Sequence, residues 1–149
     1  GAKILEIGSG NSTRILSNFY NMISIESNPE WMNKFNSKYH LVPLKKYNSE
    51  TFGETSWLDI DILKPIIENI KYDMIIVDSG GDRVGIYDYI DLFNTNVPII
   101  FDDTMDDAGY LECANMLADK LNKKCTRYNC KRNKYAVFWF EGKKFSLIL

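Results

Sequence analysis

Short apolar runs alternate with amphipathic stretches along this chain, and most of the apolar runs end in small, polar or acidic residues. Lys3-Ile7 reads as a first strand. Behind it Ser12 is a good N-cap for a helix whose apolar face is Ile15, Leu16, Phe19 and Tyr20. Met22-Glu26 reads as a second strand. Asn28, Pro29 and Glu30 then supply an N-cap, a residue preset for the first helical position, and an acid suited to a helix start. Trp31, Met32, Phe35 and Tyr39 follow at helical spacing and predict a second helix. His40-Tyr47 is expected as a third strand, with a polar loop over 48–56 after it.

The second half repeats the pattern. Leu58-Ile70 has helical period through Ile62, Leu63, Ile66, Ile67 and Ile70, with Pro65 expected to kink it or confine it to its latter half. Tyr72-Val77 is the most apolar run and predicts a central strand buried on both faces. Asp82-Phe93 reads as a helix, Val97-Phe101 as a fifth strand, and Ala108-Lys123 as the clearest helix. The alternation then stops. Cys125-Cys130 and Tyr135-Phe140 flank Lys131-Arg132-Asn133-Lys134 at hairpin spacing, so one of the two should run antiparallel. Phe145-Leu149 is read as a last edge strand. The pattern predicts a single domain over 1–149: an α/β fold with a doubly wound, mostly parallel sheet in three layers and a C-terminal antiparallel hairpin.

Composition removes several alternatives. A net charge of -2 argues against nucleic-acid binding driven by bulk charge, and the strip Lys131, Arg132, Lys134 is too short to reverse that. No apolar run approaches the roughly 20 residues that span a bilayer. No secretory signal is read ahead of the first strand, and Gly1-Ala2 reads as a remnant, so an upstream segment carrying substrate contacts is expected to have been removed or never to have existed. Cys113, Cys125 and Cys130 lack metal-site spacing and His40 is the sole histidine, which leaves reduced cysteines and a cytoplasmic location as the expectation.

In an open parallel sheet, ligands gather outside the carboxyl ends of the strands. Those ends carry Gly8-Ser9-Gly10-Asn11-Ser12-Thr13 after the first strand and Glu26-Ser27-Asn28 after the second. Asn48-Ser49-Glu50 follows the third, Asp78-Ser79-Gly80-Gly81 the fourth, and Asp102-Asp103-Thr104 the fifth. Gly8 and Gly10 allow a sharp turn and close approach of backbone to ligand. Glu6 is placed to take up an ammonium group, and Glu26 to accept two hydrogen bonds from a ribose diol. A dinucleotide fingerprint wants a third glycine where Thr13 stands, which disfavours NAD.

Two stretches resemble the class I S-adenosylmethionine-dependent methyltransferases: Glu6-Ile7-Gly8-Ser9-Gly10-Asn11-Ser12-Thr13 and Ile23-Ser24-Ile25-Glu26-Ser27-Asn28-Pro29-Glu30-Trp31. The similarity is to a branch with E-I-G-S-G-N-S-T, a D-G-P-x-G-R fourth-strand ending and a fifth-strand D-D-T, matched here at 73–83 and by Asp102-Asp103-Thr104. Ser79-Gly80-Gly81 departs from the usual Gly-Pro, and Asp106 and Asp107 stand where the branch often has arginine. The resemblance implies a Rossmann-like fold that binds S-adenosylmethionine and transfers its methyl group, with O-methylation of a small molecule or sugar as the expected reaction. It implies that Glu6, Gly8, Ser9, Gly10, Ser12 and Thr13 hold the methionine end, that Glu26 and Ser27 meet the ribose, and that Asn48 to Glu50 lie near the adenine.

Asp78, Asp102 and Asp103 are the candidate catalytic residues. Carboxylates that share a small site repel unless something positive sits between them. Mg2+ or Mn2+ bound to all three is one reading. The other is that Asp102 and Asp103 cap the following turn while Asp78 bonds the cofactor's amino group. His40 is set aside as a base because it precedes the third strand. Trp31 is expected in the core and Trp57 stays open. A catalytically inactive nucleotide- or partner-binding module is the alternative to an enzyme; neither nucleic acid nor membrane is expected as a partner, and a homodimer is left open.

Overall fold

The computed structural model describes residues 1–78, 81–104, 108–129 and 134–139. The strands of the main sheet are β1 (Lys3–Ile7), β2 (Asn21–Glu26), β3 (Ser37–Leu41), β6 (Met74–Val77), β7 (Ile99–Phe101), β8 (Lys124–Asn129) and β9 (Lys134–Trp139). Among the described residues these seven pair in the order β3-β2-β1-β6-β7-β9-β8. All pairings from β3 to β7 are parallel, and β9 runs antiparallel to both of its neighbours. The predicted doubly wound sheet with its terminal hairpin is therefore present, and β9 is the reversed strand.

Helices cover both faces. Leu5, Ile7, Ile25, Ile75, Val77, Ile99 and Phe101 point to one side. There they meet Leu63 and Ile67 of α2 (Ile60–Glu68), Ile86 of α3 (Gly85–Asp88), and Cys113, Ala114 and Leu117 of α4 (Ala108–Lys120). Ile4, Met22, Ile76 and Ile100 point to the other side and pack with Leu16 of α1 (Asn11–Leu16). Strand alternation thus makes three layers from one period-2 pattern. No helix among the described residues is long and apolar enough to cross a membrane.

Five local expectations are corrected. Residues 31–39 do not form a helix: a 3-10 turn over Pro29–Trp31 ends at Met32, Asn33 adopts φ 61°, and β3 begins at Ser37. The third strand accordingly lies at 37–41 rather than over His40-Tyr47. The segment expected as a polar loop is a hairpin of its own, β4 (Leu44–Ser49) and β5 (Gly53–Leu58), paired antiparallel outside the main sheet. The helix read over Asp82-Phe93 is a single turn, α3, followed by a 3-10 turn over Ile90–Leu92. α2 also includes Pro65 rather than being confined to the part after it. The edge strand read over 145–149 lies outside the described residues.

Candidate cofactor and acceptor site

The strand order reverses at β1, and the loops there follow one another in register. Gly8 N–H donates to Ile25 O at 2.8 Å, Asp78 N–H to Ile7 O at 2.9 Å, and Asp102 N–H to Val77 O at 3.1 Å. Gly8, Asp78 and Asp102 are each therefore the continuation of a ladder, which fixes their height above the sheet. Gly8 needs φ 91°, a value only glycine takes without strain. Gly10 differs: its backbone is extended, and a Cβ built there would meet nothing within 4 Å. Protein packing does not require glycine at that position.

Beneath the loop lies Glu6, fully buried. Its Oε1 accepts from Ser12 Oγ at 2.8 Å, and its Oε2 accepts from Thr13 Oγ1 at 2.5 Å and Ser24 Oγ at 3.2 Å. Thr13 Oγ1 in turn accepts from Gly10 N–H at 2.9 Å. Burial, helped by the charge of Asp78, pushes the Glu6 carboxyl up to about 7 against the pull of its hydroxyl donors. Ser12 is thus not an N-cap, since it sits inside α1 and serves Glu6. Glu6 and Thr13 are both fully buried, do not line the cleft that opens above, and anchor the loop from below.

Glu26 ends β2 and is 5% exposed. Its Oε2 accepts from Ser9 N–H at 3.0 Å and Ser9 Oγ at 2.5 Å, and its Oε1 accepts from the N–H groups of Ser27 and Asn28, each at 2.8 Å. Four donors fill the four acceptor sites of the carboxylate.

A cleft of about 640 Å³ opens over these groups, within the usual range for small-molecule sites. Gly8, Ser9, Glu26, Ser27 and Asp78 line it, as do Trp31, Leu44 and Arg83. Trp31, expected in the core, is 36% exposed at the cleft, with the Lys34 ammonium 4.1 Å from its ring centre. Leu44 supplies the wall opposite, whereas Asn48 to Glu50 are not among the lining residues. Trp57 is buried beneath the hairpin. His40 lies inside β3, one residue from its carboxyl end, rather than before it. Its Nε2 is buried without a partner, burial lowers its pKa, and it does not line the cleft.

Arg83 carries a role that the sequence reading left unassigned. It is 6% exposed, and its Nη2 donates to Asp78 Oδ1 and Asp103 Oδ2, both at 2.8 Å. Nη1 donates to Asp102 O at 3.2 Å, Nε is buried without a partner, and the guanidinium lies 5.0 Å from the Tyr110 ring centre. Asp103 adopts φ 55°, a left-handed conformation that aspartate tolerates. Asp102 Oδ1 accepts from Asp103 N–H at 2.8 Å. Burial and the charge of Asp102 push the Asp78 carboxyl up to about 6, with Arg83 pulling the other way. The expected metal set of Asp78, Asp102 and Asp103 is not assembled: Arg83 lies between two of its members, and Asp102 faces its neighbour's N–H. Among the described residues no group of three or more His, Cys, Asp or Glu is placed to hold a metal ion. The described residues do not form the three-carboxylate set expected to hold a divalent cation.

The hairpin holds Arg83 in place. Asp82 N–H donates to Ser56 O at 3.1 Å, and Thr55 Oγ1 donates to Asp82 Oδ2 at 2.6 Å. Gly85 lies flat against Trp57, where a Cβ would come within 2.3 Å of the indole.

No family model and no curated protein matches the sequence. Solved structures do match. A precorrin-6y C5,15-methyltransferase from Geobacter metallireducens superposes with a TM-score of 0.59 at 14% identity, over 93% of this chain and 80% of that one. A methyltransferase from Pyrococcus furiosus gives 0.53 at 17% identity, over 93% and 74%. The MycE methyltransferase of the mycinamycin biosynthetic pathway, in complex with Mg and S-adenosylhomocysteine, gives 0.54 at 12% identity, over 91% of this chain and 40% of that one. Likeness at such identities shows the fold alone: a Rossmann-like α/β sheet with a terminal antiparallel hairpin, shared with these methyltransferase structures.

Proposed function

We propose that the chain binds S-adenosylmethionine in the cleft above β1, β2 and β6 and transfers its methyl group to an oxygen of a small molecule or sugar. The observation that carries this reading is Glu26 at the cleft, its carboxylate oriented by the Ser27 and Asn28 N–H groups, beside Gly8 and Ser9 of the glycine loop, which line the same cleft. The bound cofactor supplies an electrophilic methyl carbon. Ser9 and Gly8 shape the floor, Glu26 receives the ribose hydroxyls by exchanging Ser9 for them, and Trp31 and Leu44 offer apolar walls.

Transfer from a sulfonium needs an aligned nucleophile and a place for its proton. Asp78 supplies that place: it lines the cleft, and a carboxyl pushed up to about 6 accepts a proton from a hydroxyl better than an ordinary aspartate does. Titration calorimetry with S-adenosylmethionine, S-adenosylhomocysteine and NAD tests the reading. Binding of the first two and not the third is expected; absence of both sulfur ligands would sink it.

The four internal donors on Glu26 favour one competing reading, a domain whose ribose site is permanently closed and which no longer turns over. It predicts the same fold with no heat on addition of either sulfur ligand, so the same titration separates the two.

A further inference from the structure

The cluster beyond β6 and β7 has the composition of a metal site and the geometry of something else. An oxygen-ligated divalent cation stands about 2.0–2.6 Å from each of its ligands. Here the point common to Asp78 Oδ1 and Asp103 Oδ2 is a nitrogen, Arg83 Nη2, at 2.8 Å from both. The guanidinium is permanently charged, and it is more deeply buried than the carboxylates it bridges: its side chain is 7% exposed, against 26% for Asp78 and 43% for Asp103. It is also held from behind. Asp82 and Gly85 tie its loop to β5, the Asp102 carbonyl fixes Nη1, and the Tyr110 ring lies beside it. A cation entering from the cleft would face a fixed like charge and would have to displace it.

We propose that Arg83 is the resident cation of this cluster, standing where a divalent metal would otherwise bridge the carboxylates, so that the acceptor is oriented by a metal-free ion-pair network. The part that concerns the acceptor rests on the methyltransferase reading; the occupation of the cation position does not. Arg83 is a positioning residue: it acts on an acceptor through Asp78 and Asp103, holding the first at the cleft and neutralising the second. Chelation of two neighbouring hydroxyls is then not a requirement, and acceptors with a single hydroxyl qualify.

The test is a titration with MnCl2 at neutral pH, following free Mn2+ by electron paramagnetic resonance, on the full chain and on Arg83→Met, Asp103→Asn and the double variant. The wild type is expected to leave the Mn2+ signal unchanged. Arg83→Met is expected to gain a weak site, with a dissociation constant on the order of 10⁻⁴ to 10⁻³ M, that the added Asp103→Asn abolishes. A merely structural arginine would give no such gain. Uptake of Mn2+ by the wild type that Asp103→Asn removes would overturn the proposal, and so would a folded Arg83→Met variant that gains nothing. Should Arg83→Met fail to fold by circular dichroism, the wild type and Asp103→Asn decide alone: silence in both supports, and uptake by the wild type that Asp103→Asn loses refutes. Calorimetry of the same samples with S-adenosylhomocysteine reports separately on the methyltransferase reading, whose failure leaves the Mn2+ result intact.

Discussion

Replacing Glu6 by glutamine should flatten the dependence of stability on pH. The carboxyl is fully buried and pushed from 4.5 to about 7. Below pH 4.5 both the folded and the unfolded chain hold the proton, and Glu6 contributes no slope. Between 4.5 and about 7 the unfolded chain has lost it while the folded chain keeps it, so each rise in pH favours unfolding. Above 7 the folded state must carry a buried charge. The full difference corresponds to about 3 kcal/mol of stability present at low pH and lost as the pH passes 7. Asp78 adds a slope of the same sign, so the wild-type curve alone cannot isolate Glu6. The difference between wild type and Glu6→Gln can. Urea unfolding between pH 5 and pH 8.5 is expected to show the wild type losing about 2.5 kcal/mol more than the variant across that range, the part of the full difference that falls inside it. Glutamine shifts the intercept, because its NH2 must be accommodated by hydroxyls that now turn to accept, but it has no proton to lose. Parallel curves for the two proteins would refute the reasoning.

Gly85→Ala should be among the most damaging small substitutions in the chain, because its Cβ would lie 2.3 Å from the Trp57 indole. Overpacking of this kind costs about 1–3 kcal/mol, or a drop of roughly 2–12 °C in Tm, and an unchanged melting curve would contradict it. Gly10→Ala is the opposite case: the melt is expected to hold within about 1 kcal/mol, while calorimetry shows S-adenosylhomocysteine binding weakened at least about tenfold. Ser9→Ala removes the hydroxyl that a ribose must displace from Glu26, so tighter ligand binding by about 0.5–1.5 kcal/mol is expected. Weaker binding in that variant would mean the hydroxyl itself touches the ligand.

Much of this arrangement was legible because buried strands and their carboxyl ends carry strong signals. β1, β2, β6 and β7 are short, mostly apolar runs, and the residue after each is a glycine or a polar residue for a reason that the sheet alone supplies. α4 and the terminal hairpin were equally plain, one from its apolar stripe and the other from its spacing. Two of the misread segments show why the rest was not legible. Trp31, Met32, Phe35 and Tyr39 mimic a helix face, yet Asn33 takes a left-handed φ and the Trp31 and Phe35 rings meet tilted, at 6.4 Å, without a helix between them. β4 shows no alternation because nearly all of it is exposed, and its order comes from backbone pairing to β5 and from Lys45 reaching Asp59 and Asp61. At the site, the chain spacing showed that carboxylates gather but not what sits among them. Arg83 was visible five residues after Asp78, a basic residue facing an acidic cluster, and only the fold of the hairpin behind it explains why it turns inward.

The hydroxyls around Glu6 do something that apolar packing does not. On the α1 side of the sheet, Glu6, Ser24 and Ser37 belong to three successive strands, with Ser24 Oγ 2.8 Å from Ser37 Oγ as well as bonded to Glu6. Isoleucines and methionines would tolerate a slip of two residues, since one apolar side chain would replace another on the same face. A slip here would strand a buried carboxyl among hydrocarbon. The three polar residues act as a key cut across β1, β2 and β3, so that the edge strand can dock in a single alignment and the glycine loop is set at its working height as soon as the sheet closes.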